Sequence, residues 1–426
     1  MTYSNAIEKI NSLLRFGSCP GLERISKLLE LLGNPQDYLE FVHVAGTNGK
    51  GSTCNMLASV LTSASYKTGL FTSPFILNFR ERIQIDNNMI SEEDLTALTS
   101  KVFPFVEQMA SNGEIITEFE LITAIAFLYF YEQKCDIVVL ETGLGGNFDA
   151  TNVINTTLVS VITSISLDHT AVLGDTLELI TAEKCGIIKP SKETVFYKQD
   201  DCVNQIVINS CNKKSNALHF ANNTVLEIVS TSIFGTEFLY NNTLIKMSFI
   251  GAHQISNAKT ALTTLNVLNR LGFKTTTQNI VDGFAKLYVP ARLELLSTSP
   301  IIFLDGSHNP DGLKYLSKTI KEYLPNKKIL CLIGMLKDKD SITSLDYLQG
   351  LFSKVITLTP DNPRALDCHK LLENASDYFD DITAFDNKQD AIKYAMSISN
   401  EFDAIIICGS LYLASELRPL ILNYIK

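Results

Sequence analysis

The chain has 426 residues, 46% hydrophobic and 19% charged, with a formal net charge of −10 and a pI near 5.2. That balance excludes a disordered chain, and its acidity argues against a nucleic-acid groove. No apolar run approaches bilayer-spanning length, the first residues lack a signal-peptide core, and the nine cysteines show no CxxC pair or metal-type spacing; the expectation is a cytoplasmic protein without membrane contact, made of about two or three domains.

In chain order, apolar spacing predicts helices over residues 4–15 and 22–32, the second ended by Gly33 and Pro35. Residues 41–45, FVHVA, form an apolar run of strand length, and helical spacing resumes at Asn55. Between them lies GTNGKGST, residues 46–53. Its glycines let the backbone approach a ligand, so that successive N–H groups and a helix N-terminus point at phosphate oxygens. Lys50 supplies a point charge for the β and γ phosphates, and Ser52 or Thr53 a hydroxyl for a magnesium ion. The loop departs from the common P-loop, with Val44 where a glycine is usual and Gly51 where Ser or Thr follows the lysine.

Further strands are predicted over 68–72, 82–86, 136–140 and 157–163, with helices from Glu92, capped by Ser91, and over 118–132. The alternation implies an α/β sheet, mostly parallel. Residues 224–250 change to period-2 runs around Asn241 and Asn242, an antiparallel patch, before helices over 253–271 and 277–287. A second α/β series begins near Pro300: IIFLD, a helix after Pro310, ILCLIGM, a helix after Asp340, VITLT, a helix from Asp386, AIIICGS and a last helix. The expected fold is therefore α/β: a P-loop-type N-terminal ATPase domain with a small antiparallel sheet, residues 1–296, and a C-terminal Rossmann-like domain, residues 297–426. The stretch 288–297 is the expected boundary, with ligand in the cleft between domains.

Several side chains fall where open parallel sheets bind ligands, at strand carboxyl ends. Glu141 follows DIVVL and suits magnesium, while Asp149 and Asn152 offer an acceptor and an amide. His169 follows the next strand and reads as a metal ligand. Lys184, taken alone, is a surface lysine near a helix C-terminus. Asp305 and His308 lie at the strand end of FLDGSHNPDG, and Arg292 is a candidate phosphate clamp.

GTNGKGS, TSPFI, ERIQI, TEFELITA, ETGLGG with DATN, LDHT, EKCGIIKP, PARLELL, DGSHNPDG, MLKDKD and GSLYLAS occur in the order seen in folylpolyglutamate synthases, and together span essentially the whole chain. The chain thus resembles the folate branch of the Mur ligase superfamily, whose loop carries the extra glycine. The resemblance implies ATP-dependent addition of L-glutamate to the γ-carboxylate of a reduced folate. It implies that Lys50 and the segment Thr47, Asn48, Gly49, Gly51 and Ser52 hold the triphosphate, with Ser73, Glu141 and His169 as Mg2+ ligands. Asn257, Arg292 and Asp305 match ATP-contacting positions; Arg82, His308 and Ser410 match glutamate-binding ones. The folate pocket matches residues 72–82 with Phe119, Glu120 and Asp149, and Lys184 matches a lysine carbamylated in relatives. Lys50, Lys184, Asp305 and His308 are the expected catalytic set. Ser307, Thr142 and Asn147 depart from the residues usual in this branch, the last beside the pterin region. The same machinery serves dihydrofolate synthase, which joins glutamate to dihydropteroate, and a bifunctional enzyme is the alternative; a non-catalytic nucleotide-binding regulator would not need the second-domain set. A cell-wall ligase of the Mur type would need a UDP-binding domain before Phe41. The expected protein is a monomer.

Overall fold

The computed structural model describes residues 1–17 and 20–425, so Cys19 lies outside the described residues. They divide into two compact units, Met1–Leu226 with Ser256–Leu287, and Glu227–Ile255 with Tyr288–Lys426. The segment 227–255, which the sequence division kept with the first domain, clusters with the second unit.

The first unit is built on an eight-stranded sheet. Its strands are β1 (Phe41–Ala45), β2 (Thr68–Phe71), β3 (Ile83–Ile85), β4 (Asn88–Met89), β5 (Ile137–Glu141), β6 (Thr157–Ile162), β7 (Glu193–Phe196) and β8 (Ala217–Phe220). They lie in the order β4-β3-β2-β5-β1-β6-β7-β8. From β2 to β8 every pairing is parallel, while β3 and β4 add an antiparallel edge. β1 is fully buried between β5 and β6, which is why it reads as a continuous apolar run rather than an alternating one. Because these strands are parallel, the residues after β1, β2, β5 and β6 emerge at one edge of the sheet.

The core beside β1, β2 and β5 is filled by helices Glu92–Ser111 and Glu118–Glu132, with Phe41, Phe71, Phe127 and Phe130 buried together. Both helices begin where the sequence places them. Ser91 accepts the Asp94 amide, and Thr117 and Glu120 form a capping box. The first helix is shorter than expected, Tyr3–Asn11 rather than 4–15: the Ser12 hydroxyl bonds back to the Lys9 carbonyl and the chain tightens into a turn over Leu14–Phe16. The helix Asp201–Lys213 between β7 and β8 is an addition to the predicted elements, its apolar side packing Val203, Val207 and Cys211 against Phe196 and Ile162.

The second unit contains the expected hairpin sheet, β9 (Glu227–Ser232), β10 (Gly235–Tyr240) and β11 (Thr243–Met247), its tight turn made by Asn241 and Asn242 in left-handed conformations. Its larger sheet has six strands: β12 (Glu294–Thr298), β13 (Ile301–Leu304), β14 (Ile329–Ile333), β15 (Lys354–Leu358), β16 (Ile382–Phe385) and β17 (Ala404–Cys408), in the order β12-β13-β17-β14-β15-β16. All pairings from β13 to β16 are parallel, with β12 antiparallel at one edge. The helix Cys368–Ala375 and the strand β16 complete this series beyond the predicted elements.

Candidate active site

The glycine loop leaves β1 and enters the helix Lys50–Ser63 directly. Gly49 stands at the turn with φ 83°, and its missing side chain leaves room for Asn257, whose amide packs against it. The segment after β6 pins the loop: Thr47 N–H donates to the Ser164 carbonyl at 2.7 Å, and the Thr163 hydroxyl donates to the Asn48 carbonyl at 2.8 Å. Thr47 Oγ1 donates to the Ser166 carbonyl at 3.0 Å. Gly51 and Ser52 fall in the first turn, where the helix dipole and unpaired N–H groups favour an anion. The Glu141 carboxylate, at the end of β5, faces that turn: a Cβ on Gly51 would stand 3.5 Å from Glu141 Oε2.

Two lysines converge on the Gly46 carbonyl. Lys50 Nζ donates to it at 3.1 Å and to the Thr47 carbonyl at 3.2 Å; Lys184 Nζ donates to it at 2.8 Å. Lys184 is only 4% exposed, which overturns its reading as a surface lysine. Its burial follows from the close packing of the Gly146 turn on the end of helix Leu177–Lys184, where a Cβ on Gly146 would lie 2.8 Å from the Glu183 and Lys184 carbonyl oxygens. Asn147 N–H donates to the Glu183 carbonyl at 2.9 Å. Burial pulls the Lys184 pKa down to about 7, and the neighbouring Lys50 charge acts in the same direction, against the opposing pull of Asp168, Asp149 and Glu183.

The unfolded chain keeps Lys184 protonated up to its ordinary value of 10.5, whereas the folded chain releases that proton near 7. Between those values the unfolded state binds more protons, so stability rises with pH across that window. In CO2-free buffer, Lys184→Met is expected to stabilise the protein relative to the parent by about 2 kcal/mol more near pH 6.5 than near pH 9. Denaturant midpoints read this directly, and an equal difference at both pH values contradicts a charged lysine buried at this point.

Of the three expected metal ligands, the structure brings Ser73 and Glu141 together, with Ser73 N–H donating to Glu141 Oε2 at 3.1 Å. His169 stands at the start of the short helix Thr170–Leu173, in a left-handed conformation with its ring beside Asp168.

The loop after β2 leads to Arg82, which is buried, pairs with Glu118 at 2.6 Å and lies over the adjoining rings of Phe75 and Phe79. The sequence did not single out Glu118; its TEFE context signals only a helix cap. Phe119 packs at 5.9 Å from the Phe71 ring and against Gly143. Both Glu120 oxygens are engaged, one by the Thr117 amide and hydroxyl at 2.8 and 2.9 Å, the other by Arg24 at 3.0 Å. Asp149 organises the turn after β5, accepting the Leu144 amide at 2.7 Å and the Thr151 hydroxyl at 2.5 Å. Its pKa is raised by burial, with these bonds opposing. Behind it lies a residue the sequence reading passed over. His43, fully buried in β1, shares a 2.8 Å hydrogen bond with Thr151, and burial followed by the Lys189 charge lowers its pKa to about 3. Its only signal was a polar residue inside FVHVA.

In the second unit, Asp305 directly follows β13 and ties two segments, accepting Leu293 N–H and Ser307 N–H at 2.9 Å each. Arg292 sits between Ala291 and Leu293, both left-handed. His253 lies close to both charges; burial pulls its pKa to about 4, with Asp305 opposing and Arg292 adding to the fall. His308 Nδ1 is 3.0 Å from the Gly306 carbonyl, and Gly409 N–H donates to the Ser307 carbonyl at 2.9 Å, which brings Ser410 beside this loop. Ser410 Oγ caps the helix Leu411–Tyr424 by accepting the Tyr412 amide at 3.1 Å.

A central parallel strand feeding a glycine loop, followed by a second parallel α/β sheet, is the organisation of a Mur ligase, and residues 44–265 match the Mur ligase middle domain while 291–411 match the Mur ligase glutamate ligase domain. The chain is 37% identical to the dihydrofolate synthase/folylpolyglutamate synthase of Bacillus subtilis, over 98% of each. The Mycobacterium tuberculosis folylpolyglutamate synthase solved with ADP and AMPPCP superposes with a TM-score of 0.90 at 31% identity, over 98% of each chain. Escherichia coli FolC, solved with DHPP and ADP, gives 0.87 at 28% identity, over 100% of this chain and 99% of that one. The chain belongs to the folylpolyglutamate synthase and dihydrofolate synthase family of the Mur ligases.

Proposed function

We propose that the chain is a cytoplasmic, monomeric ligase that uses ATP to add L-glutamate to the γ-carboxylate of tetrahydrofolate. The observation that carries this reading is the convergence of Lys50 and Lys184 on the Gly46 carbonyl, with Glu141 over the first turn of the following helix. A carboxylate is a poor electrophile, so it is first phosphorylated. A folate oxygen bonds to the γ-phosphorus as the bond to ADP breaks; the glutamate amine then attacks the acyl carbon, losing a proton as phosphate leaves. Both steps build negative charge on phosphoryl or carbonyl oxygens, which fixed cations and N–H groups stabilise.

In this reading Lys50 and the amides of residues 47–52 hold the triphosphate, with Asn257, Arg292 and Asp305 contacting the nucleotide. Arg82, His308 and Ser410 receive glutamate, and Phe119, Glu120 and Asp149 bound the folate pocket. The donor set also fits Mg2+. Glu141, Ser73 and the adjoining Ser52 and Thr53 offer hard oxygens, and Thr53 Oγ1 is buried without a hydrogen-bond partner; His169 would complete the set. Bound there, Mg2+ would neutralise phosphate charge. Lys184, held partly as a free amine near neutral pH, is in the form that adds CO2 with loss of a proton, and we assign it the carbamate found in relatives. Among the described residues no helix is long and apolar enough to cross a membrane.

The second reading, addition of glutamate to dihydropteroate, is favoured by the relatives that carry both names and by the DHPP-bound neighbour. Phosphate release in the presence of ATP, Mg2+ and glutamate separates the two. Tetrahydrofolate is expected to stimulate release, and additional stimulation by dihydropteroate identifies a bifunctional enzyme. No stimulation by either acceptor contradicts the assignment.

A further inference from the structure

The carboxyl edge of the six-stranded sheet carries a group of side chains remote in role from the phosphate loop. The chain leaving β15 enters the helix Cys368–Ala375, whose cap Asp367 is already used by the His369 and Lys370 amides at 3.0 and 3.1 Å. Cys368 is fully buried, its N–H held by Thr359 at 2.8 Å and its carbonyl by Thr357 at 2.9 Å. The neighbouring strand β16 ends at Phe385, and the next residue, Asp386, turns back to them. Asp386 Oδ1 lies 3.0 Å from His369 Nε2 and 3.6 Å from Cys368 Sγ, and the three ligand atoms all fall within 4.8 Å of one another.

The exposed contact between His369 and Asp386 accounts for little stability, since these side chains are 61% and 82% exposed. Their chemistry fits a different purpose. Thiolate, imidazole and carboxylate together are the donors of a borderline-soft divalent ion, and three protein ligands leave one position of a tetrahedron open. With metal bonds of about 2.0–2.3 Å, the edges of such a tetrahedron measure roughly 3.3–3.7 Å. The observed 3.6 Å sulfur–oxygen separation falls in that range, and the 3.0 Å nitrogen–oxygen separation needs only a small opening.

We propose that Cys368, His369 and Asp386 form a binding site for a zinc-type divalent cation, separate from the Mg2+ set, that clasps the end of β16 to the helix following β15. Without the ion, burial and the nearby Asp367 and Asp386 charges raise the Cys368 pKa; coordination reverses this, since a ligating thiol is deprotonated outright. The clasp links two connections at the edge of the sheet, where among the described residues no further strand holds β16 on its outer side.

The probe is Co2+, titrated into the chelator-treated full-length chain. A thiolate-to-cobalt charge-transfer band is expected in the near ultraviolet, saturating at one ion per chain and abolished by Zn2+; cobalt on oxygen donors gives no such band. Cys368→Ser should lack it. His369→Gln, at an exposed position that does not threaten the fold, should weaken cobalt binding at least roughly tenfold, the cost of losing even a residue that only supports a ligand. Absence of the band, its persistence in Cys368→Ser, or unchanged affinity in His369→Gln would overturn the site.

Discussion

Lys50→Ala is expected to lower ATP turnover by at least roughly 10²–10³-fold, the cost of removing one preorganised charge or donor from developing oxyanions. Its other contacts do not confound the result. Among the described residues Lys50 Nζ hydrogen-bonds only to the carbonyls of Gly46 and Thr47, and Gly46 keeps Lys184 as a donor when Lys50 is gone. Helix Lys50–Ser63 is held by its buried residues from Cys54 to Leu61 rather than by this side chain. The circular dichroism spectrum and unfolding midpoint should therefore change little while turnover collapses. Near-normal turnover would contradict the phosphate-cradle assignment.

Glu141→Gln carries the second large effect. The substitution keeps an oxygen able to accept the Ser73 amide, which the parent holds at 3.1 Å, so the turn after β2 stays in place. What it removes is the negative charge facing the first turn of the helix. A neutral amide is a weak partner for Mg2+, which prefers carboxylate and phosphate oxygens. The Mg2+ concentration for half-maximal activity is expected to rise at least roughly tenfold, with a lower plateau. An unchanged Mg2+ titration would remove Glu141 from the metal set and leave its burial to be explained by packing.

What was legible in the sequence was what is local. The run from β1 through the glycines to the helix could be read because strand period, turn residues and helix spacing adjoin one another, and the Ser91 cap because it bonds within three residues. Parallel strands such as β5 and β14 announced themselves as unbroken apolar runs. Lys184 was misread from its own surroundings because its burial comes from the turn after β5, a segment distant in the chain. Partners distant in the chain also hid the pairing of Arg82, just before β3, with Glu118, and that of His43 with Thr151 in another loop. β16 escaped notice because it is a short edge strand of half-buried residues, with no apolar run to mark it. The family resemblance supplied what local pattern could not, the grouping of residues from separate strands.

The central claim is that this chain forms an amide bond between glutamate and a folate. It is tested most directly by mass spectrometry of tetrahydrofolate after incubation with the protein, ATP, Mg2+ and L-glutamate. The account predicts products heavier by whole glutamyl residues, γ-linked, formed in step with ADP and absent when glutamate or Lys50 is removed. ATP hydrolysis that leaves both tetrahydrofolate and dihydropteroate unchanged in mass would contradict it.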